Sequence, residues 1–189
     1  MARIPYLDHQ DLKPEDRDLL ARNINLYRAL SHSPGAARKF SGLGGYIRHK
    51  SKLDSRLREM AILQVGYLTR SAYEYSHHIK IGREFGVSDN DIRAMIAETE
   101  GQGSDLEPLA KAVLQAAREM TLNLAASKET IETLKSGMDL ECLTDLVITI
   151  CYYNCVVRYL ETMQVDVEDG YLPYLEEFPL PDAPHVERK

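Results

Sequence analysis

The chain has 189 residues, of which 44% are hydrophobic and 28% are charged, and these values are typical of one globular domain. Its formal net charge of −6 excludes a strongly basic nucleic-acid-binding surface, so no nucleic-acid partner is expected. The sequence shows no run of about 18 apolar residues and no hydrophobic signal segment at its start. We therefore expect no membrane partner and a cytoplasmic location.

The first half of the chain predicts helices that are separated by short breaks. Pro14 and two acidic residues favour a helix start, and this helix spans 14–31. A second helix covers about 34–41, after which three glycines indicate a turn or a frayed helix at 42–50. The strongest helical pattern follows, and a tight turn separates its two helices at 53–69 and about 72–85.

The second half continues the helical periodicity and ends in a different kind of segment. The proline-rich and acidic residues 170–189 predict an extended C-terminal tail. No strand-like alternation bounded by turns occurs, so the sequence predicts a single all-α domain over 1–189, built as a helical bundle. The remaining predicted helices span about 88–98, 106–124, 127–136 and 139–163.

All three cysteines lie in the last predicted helix. Their odd number does not fit a disulfide framework. Cys151 and Cys155 are one helical turn apart among apolar residues, and Cys142 lies earlier in the same predicted helix. Buried cysteines behave as small hydrophobic residues. We therefore expect them to pack in the core. The alternative, a redox pair, requires a disulfide geometry that one turn of a rigid helix suits poorly.

Two carboxylates and two histidines fall within the apolar stretch EMAILQVGYLTRSAYEYSHH at 59–78. Ser71, Glu74 and His78 are spaced to share one helix face, and Glu74 is placed to hydrogen-bond His78. A carboxylate in that position fixes the tautomer of the imidazole and raises its basicity. The preceding helix would bring Glu59 near the same histidine. The alternative for His78 is a core histidine satisfied by Glu74.

Other interpretations of these residues are structural. Glu74 and His77 form an E-x-x-H step of the kind that di-iron bundles use, but no second step occurs, so no metal site is predicted. His77 is expected to be a partly exposed helix residue. From the residues alone, Glu59 is explained as well by a partner at Arg56 or Arg58 as by catalysis.

Further candidates for substrate contact flank the turn between the two helices. Tyr67, Tyr73 and Arg70 are predicted to bind substrate through their hydroxyl and guanidinium groups. Tyrosines at such positions are also explained by a buried ring and a wet hydroxyl. The basic segment 48–50 either contacts an anionic substrate or forms a solvated connection.

The spacing of these residues resembles a known motif. In the peroxidase branch of the carboxymuconolactone decarboxylase and alkylhydroperoxidase D-like family, a glutamate is followed after eleven residues by Cys-x-x-Cys-x-x-x-His. Glu59, Ser71, Glu74 and His78 fall at the four motif positions, with Ser71 and Glu74 in place of the cysteines. The segments RLREMAILQVGYLTRSAYEYSHHIKIGREFGVSDNDI and DLVITICYYNCVVRYLETMQV are also similar to the family, and the likeness covers about 45–165.

The resemblance implies the family's all-α fold, a homo-oligomer and a cofactor-free enzyme that acts on a small-molecule substrate. Serine and glutamate cannot form the sulfenic acid and disulfide of a thiol peroxidase. The implied activity is therefore acid–base chemistry of the carboxy-lyase type on a small carboxylate or lactone. His78 would be the general acid/base, Glu74 or Glu59 its orienting partner, and Ser71 a hydrogen-bond donor to substrate.

Two alternatives remain at this stage. One is a peroxiredoxin-type hydroperoxide reduction, which would need the three late cysteines. The other is a non-catalytic, oligomeric protein that binds a small molecule in the same pocket.

Overall fold

A computed structural model describes residues 2–183, and these residues form an all-α bundle without strands, which confirms the predicted fold class. Short 3-10 helices occur in three further segments, His9–Asp11, Pro14–Leu20 and Asp169–Tyr171. The α-helices are α1 (Asn25–Leu30), α2 (Pro34–His49), α3 (Ser55–Thr69), α4 (Ala72–Glu84), α5 (Asp89–Thr99), α6 (Pro108–Leu122), α7 (Lys128–Gly137), α8 (Leu140–Met163) and α9 (Leu172–Glu177).

Helix α3 is the centre of the bundle and packs against α4, α6 and α8. The Asp54 carboxylate caps its first turn by accepting a hydrogen bond from the Leu57 backbone N–H at 3.0 Å. From Leu57 to Leu68 every residue is buried. A helix surrounded in this way removes any ionisable side chain that it carries from water, and Glu59 lies within it.

The turn between α3 and α4 is tight because α3 ends in a left-handed residue, Arg70, with a φ of 51°. The Ser71 N–H then donates to the Gly66 carbonyl at 3.0 Å, and α4 returns antiparallel to α3. The two helices touch at Gly66, where a Cβ would lie 3.1 Å from the Tyr75 backbone nitrogen. A residue without a side chain therefore sets the closest approach of this hairpin.

The N-terminal segment differs from the single helix that the sequence predicts at 14–31. It forms the 3-10 helix Pro14–Leu20 and then, after a break, α1. Leu20 and Leu30 are both buried, so each short piece still packs an apolar side against the bundle.

Helix α2 also differs, because it continues to His49 where the sequence predicts a turn or frayed helix at 42–50. Tertiary packing explains the difference. Ile47 is buried, and the Tyr152 hydroxyl lies so close to Gly44 that a Cβ there would be 2.8 Å away. The glycine thus makes room for a neighbouring helix instead of ending its own.

The prediction that Cys151 and Cys155 pack in the core is wrong, because both are exposed and Cys142 is only partly buried. The helical phase of α8 gives the reason. Its buried stripe recurs every three or four residues, and Cys151 and Cys155 fall on the opposite side. This stripe contains Leu143, Leu146, Ile150, Tyr153, Val157 and Leu160.

Helix α8 is long and apolar enough to span a membrane by length and composition, with a mean hydropathy of 1.4, although the sequence was expected to contain no such run. Half of its apolar window is buried inside the protein. Core helices of globular proteins meet the same two criteria.

The predicted C-terminal tail is not simply extended. Its first part forms the 3-10 helix Asp169–Tyr171 and α9, which packs on α4, and Phe178 is buried. Residues 184–189 of the predicted tail lie outside the described residues. The described part of the tail therefore covers one side of the helix that carries Glu74, His77 and His78.

Candidate active site

His78 meets a carboxylate at each of its two ring nitrogens. Nδ1 lies 2.6 Å from Glu59 Oε2 on α3, and Nε2 lies 2.9 Å from Glu74 Oε1 one turn earlier on α4. The three residues are only 0–4% exposed. Because a carboxylate only accepts hydrogen bonds, an imidazole between two of them carries a proton on both nitrogens. The two carboxylate contacts therefore favour the protonated, imidazolium form of His78.

The second oxygen of Glu59 is bound as well. Glu59 Oε1 accepts hydrogen bonds from Arg58 Nε at 3.0 Å and from Arg58 Nη2 at 2.9 Å. The Arg58 guanidinium in turn lies over the Phe85 ring, 4.5 Å from its centroid. Both partners proposed for Glu59 from the sequence, a neighbouring arginine and His78, are thus present at once, whereas Arg56 pairs with other carboxylates.

The charges move the pKa values of this cluster in opposite directions. Burial alone would lower the pKa of His78, but the carboxylates of Glu59 and Glu74 raise it above its ordinary value. Burial alone would raise the pKa of Glu59, but His78 and Arg58 lower it below the usual range. The cluster therefore stores a proton on His78 beside an ionised Glu59.

A cavity of about 420 Å³ opens beside this cluster. Its wall contains three of the seven residues predicted to be catalytic or to bind substrate, Tyr73, Glu74 and His78. Most of the other lining side chains come from the segment before α1 and from α1, α2 and α8. They include Ile24, Leu26, Tyr27, Arg38, Arg48, His49, Tyr152, Tyr153 and Val156.

The other predicted site residues do not line the described cavity. Glu59 lies behind His78 and acts on the cavity through it. Ser71 begins α4 and is buried, and its hydroxyl has no hydrogen-bond partner among residues 2–183. The Tyr67 hydroxyl contacts Glu100 at 3.3 Å, and burial raises the pKa of Tyr67 to about 12. Arg70 occupies the turn and is not brought to His78.

Sequence reasoning missed the contribution of α8 to this site. The Tyr153 ring meets the His78 ring edge-on, with a centroid distance of 5.0 Å, and Tyr152 lines the same wall. The available signal was the helical phase, since Tyr153 falls in the buried stripe of α8 and the adjacent cysteines do not. Of the basic segment 48–50, Arg48 and His49 line the cavity.

The expectation that His77 is partly exposed is wrong, since it is 3% exposed and lines the cavity. Its ring is stacked between Tyr73 and Tyr171, with centroid distances of 4.1 and 3.6 Å. Its Nδ1 lies 2.8 Å from the Tyr73 carbonyl oxygen, and its Nε2 lies 3.1 Å from Glu168 Oε2. The second contact is a close ion-pair approach without hydrogen-bond alignment. The C-terminal segment buries His77, and nothing near it in sequence indicates this.

The described residues provide no metal-binding cluster, and they place no cysteine at the wall of the described cavity. No group of three or more histidine, cysteine, aspartate or glutamate side chains in residues 2–183 is arranged to hold a metal ion. None of the three cysteines lines the described cavity. The groups at the cavity wall are thus acid–base groups.

Comparisons with known proteins agree with the resemblance that the motif carries. Residues 34–119 match the model of the Carboxymuconolactone decarboxylase family. A search of curated proteins returned no match.

Solved structures match over most of the chain. The alkylhydroperoxidase AhpD core of an uncharacterized peroxidase-related protein from Ralstonia eutropha is 18% identical, with a TM-score of 0.76 over 99% of this chain and 98% of that one. A cysteine-to-alanine variant of the debrominase Bmp8 with bound 2,3,4-tribromopyrrole is 19% identical, with a TM-score of 0.75 over 94% and 99%. A protein of unknown function from Agrobacterium tumefaciens is 18% identical, with a TM-score of 0.66 over 74% and 95%. At these identities the likeness shows a shared fold.

Proposed function

We propose that this chain, whose residues 34–119 match the model of the Carboxymuconolactone decarboxylase family, is a cofactor-free acid–base enzyme that acts on a small carboxylate or lactone. One observation carries the proposal. A buried histidine, His78, lies between the carboxyl groups of Glu59 and Glu74, and the Glu74–His78 edge of this cluster faces a cavity large enough for a small molecule. Such a cluster can hold and deliver a proton at neutral pH.

Roles within the proposed site follow from what each group touches. Both nitrogens of His78 are occupied, so a proton reaches the cavity most directly through Glu74. We therefore assign His78 as the proton store, Glu74 as the carboxyl group that exchanges the proton with substrate, and Glu59 as the positioning residue that holds the ring. The Tyr73 hydroxyl accepts from the Leu26 N–H at 3.1 Å and donates to Glu168 Oε1 at 3.0 Å, so Tyr73 is retained as a substrate contact only through its ring. Ser71 is left out of the mechanism.

The proposed reaction is a decarboxylation in which the substrate supplies its own electron sink. Loss of carbon dioxide breaks one C–C bond and leaves its electron pair as an enolate on a conjugated carbonyl. The proton on His78 Nε2 crosses the 2.9 Å contact to Glu74, and Glu74 protonates the enolate carbon. His78, now neutral, regains a proton from water. One C–H bond replaces the broken C–C bond, and no external oxidant or reductant is consumed.

The experiment is a substrate screen in D2O with unsaturated lactone acids and conjugated oxo acids, followed by NMR. We expect carbon dioxide release and one deuterium per product molecule. His78→Gln and Glu74→Gln should each lose about 100-fold or more in kcat, because general acid–base groups contribute on that scale. Circular dichroism and urea unfolding confirm that each variant is folded. Folded variants that retain wild-type turnover would contradict the assigned roles.

The same screen decides between the proposal and its two alternatives. A variant with Cys142, Cys151 and Cys155 all changed to serine should keep full decarboxylase activity, because none of them lines the cavity. Thiol-dependent hydroperoxide reduction that this variant loses would instead support the peroxidase alternative. Ligand binding without turnover of any compound would support the non-catalytic binding protein. The debrominase structure with its bound tribromopyrrole is a precedent for a small flat ligand in this fold.

We also propose that the protein acts in the cytoplasm and that it forms a homo-oligomer, the second of which the family resemblance implies. Size-exclusion chromatography with light scattering tests the second statement. A monomer at micromolar concentration would contradict it.

A further inference from the structure

Arg48 is one of the charged side chains of the cavity that the proposed mechanism does not use. It extends from the last turn of α2, is partly buried and lines the cavity. Its Nε is buried without a hydrogen-bond partner, and it makes no ion pair within residues 2–183. The other arginines of the wall are engaged differently: Arg38 binds the carboxylates of two aspartates, and Arg22 lies over the Tyr27 ring at 5.7 Å.

The charge of Glu59 acts on Arg48, but the Glu59 carboxylate is already paired with Arg58 and His78. In the buried cluster, the negative charges of Glu59 and Glu74 are balanced by Arg58 and the imidazolium of His78. Arg48 is therefore one positive charge in excess. Buried charges in folded proteins are normally paired, because removal from water is costly when no opposite charge compensates it. An anion that enters the cavity would supply the missing partner.

The position of Tyr153 indicates how an anionic ligand would be oriented in the cavity. The Tyr153 hydroxyl lies within interaction range of the Arg48 guanidinium, while the Tyr153 ring meets His78 edge-on at 5.0 Å. A ligand lying along this ring would reach Arg48 with one end and the Glu74–His78 pair with the other. Three further tyrosines, Tyr27, Tyr73 and Tyr152, line the cavity. Aromatic walls favour a flat ligand, and a guanidinium fork binds a carboxylate through two parallel hydrogen bonds.

We propose that Arg48 is the anion anchor of the cavity and receives the carboxylate of a planar, conjugated acid, whose opposite end lies at Glu74 and His78. The orientation toward Glu74 and His78 rests on the proposed function, whereas the anchoring does not. This carboxylate is retained during turnover, and the group that reacts is a second one at the far end of the ligand.

Isothermal titration with benzoate, a planar carboxylate that cannot react, tests the anchor directly. We expect wild type to bind benzoate and Arg48→Gln to bind it at least about tenfold more weakly, the value of one charge-assisted hydrogen bond. Arg48→Lys, which keeps the charge but loses the fork, should lie between them. Lys50→Gln is the matched control: it removes the same charge from an exposed position outside the cavity wall and should bind like wild type.

Neutral and non-planar probes complete the test. Benzamide should bind wild type and Arg48→Gln equally, and cyclohexanecarboxylate should bind wild type more weakly than benzoate. Equal benzoate affinity in wild type and a folded Arg48→Gln variant would overturn the anchor, as would wild type that prefers benzamide. Arg48→Lys, with its charge retained, supplies the result if Arg48→Gln does not fold.

Failure of the anchor and failure of the proposed function give different results. Benzoate binding that depends on Arg48, with no turnover of any screened acid, keeps the anchor and removes the acid–base enzyme. Turnover that His78→Gln abolishes but Arg48→Gln leaves unchanged in KM keeps the enzyme and removes the anchor.

Discussion

His77 and His78 are consecutive residues on one helix; His77 faces one glutamate and His78 faces two, and the partners of the two histidines differ in origin. The partners of His78, Glu59 and Glu74, come from the hairpin that carries it. The partner of His77, Glu168, lies about ninety residues later in the C-terminal segment, and its side chain is 24% exposed against 1% for Glu59. A pair built within one hairpin can be inferred from spacing, whereas a pair closed by a remote segment cannot.

The comparison also separates two uses of the imidazole. His78 is held by a carboxylate at each ring nitrogen and meets the Tyr153 ring edge-on. His77 is held by a backbone carbonyl and by stacking between two tyrosine rings, with Glu168 as a lateral contact. We therefore expect His78 to dominate the electrostatics of the fold and His77 to fasten the C-terminal segment to α4.

The largest expected difference is in stability after loss of each glutamate. Glu59→Gln leaves Arg58 and His78 buried without their carboxylate, and should lower the free energy of unfolding by about 3 kcal/mol. Glu168→Gln removes a partly exposed partner and should cost about 1 kcal/mol or less. Urea unfolding of both variants measures the difference. Equal losses would show that the two pairs contribute alike.

The second prediction concerns pH. The raised pKa of His78 means that its contribution to stability is fully present below about pH 6.5, the unfolded value. Above that pH the contribution falls by about 1.4 kcal/mol per pH unit until the folded pKa is passed. Stability of wild type relative to His78→Gln, measured from pH 5 to 9, should therefore shrink as the pH rises. NMR titration of the imidazole protons should find His78 charged above its ordinary pKa.

At acid pH the stability changes with pH in the opposite direction, because of Glu59. The lowered pKa of Glu59 gives a contribution that is present above its unfolded value of about 4.5 and is lost as the pH falls through the folded pKa. In Glu59→Gln this acid-dependent loss should become smaller. A wild type and variant with parallel pH curves below 4.5 would contradict the assigned ionisation.

The smallest effect is expected at the tyrosine stack. Tyr171→Ala removes one of the two rings that sandwich His77 and should lower the free energy of unfolding by about 1 kcal/mol. Hydrogen exchange of the 169–177 amides should become faster, while the 55–69 amides of α3 keep their protection. Uniform loss of protection in both segments would mean that the C-terminal segment is part of the core unit.

Features of the fold and of the site that depend on residues close together in sequence were predictable, whereas those that depend on residues far apart in sequence were not. The bounds of α3 and α4 follow from capping and periodicity, and the family motif groups Glu59, Glu74 and His78 before any coordinates are known. The continuity of α2 through its glycines depends on Tyr152, more than a hundred residues away. The exposure of Cys151 and Cys155 follows from helical phase, a signal that the sequence contains and that an apolar composition conceals. Nothing local to His77 indicates Glu168 or Tyr171.

The close packing of α3 and α4 at Gly66 affects how firmly His78 is held. Gly66 lies two helical turns along α3 from Glu59 and meets the α4 backbone so closely that a methyl group would sit 3.1 Å from the Tyr75 nitrogen. Because the side chain of Gly66 is a single hydrogen atom, α3 and α4 can approach this closely. The same spacing between the two helices allows the 2.6 Å contact between Glu59 and His78. A wider gap would lengthen that contact and release the imidazole. Position 66 would then behave in a mutational scan as if it belonged to the active site, although Gly66 does not line the described cavity.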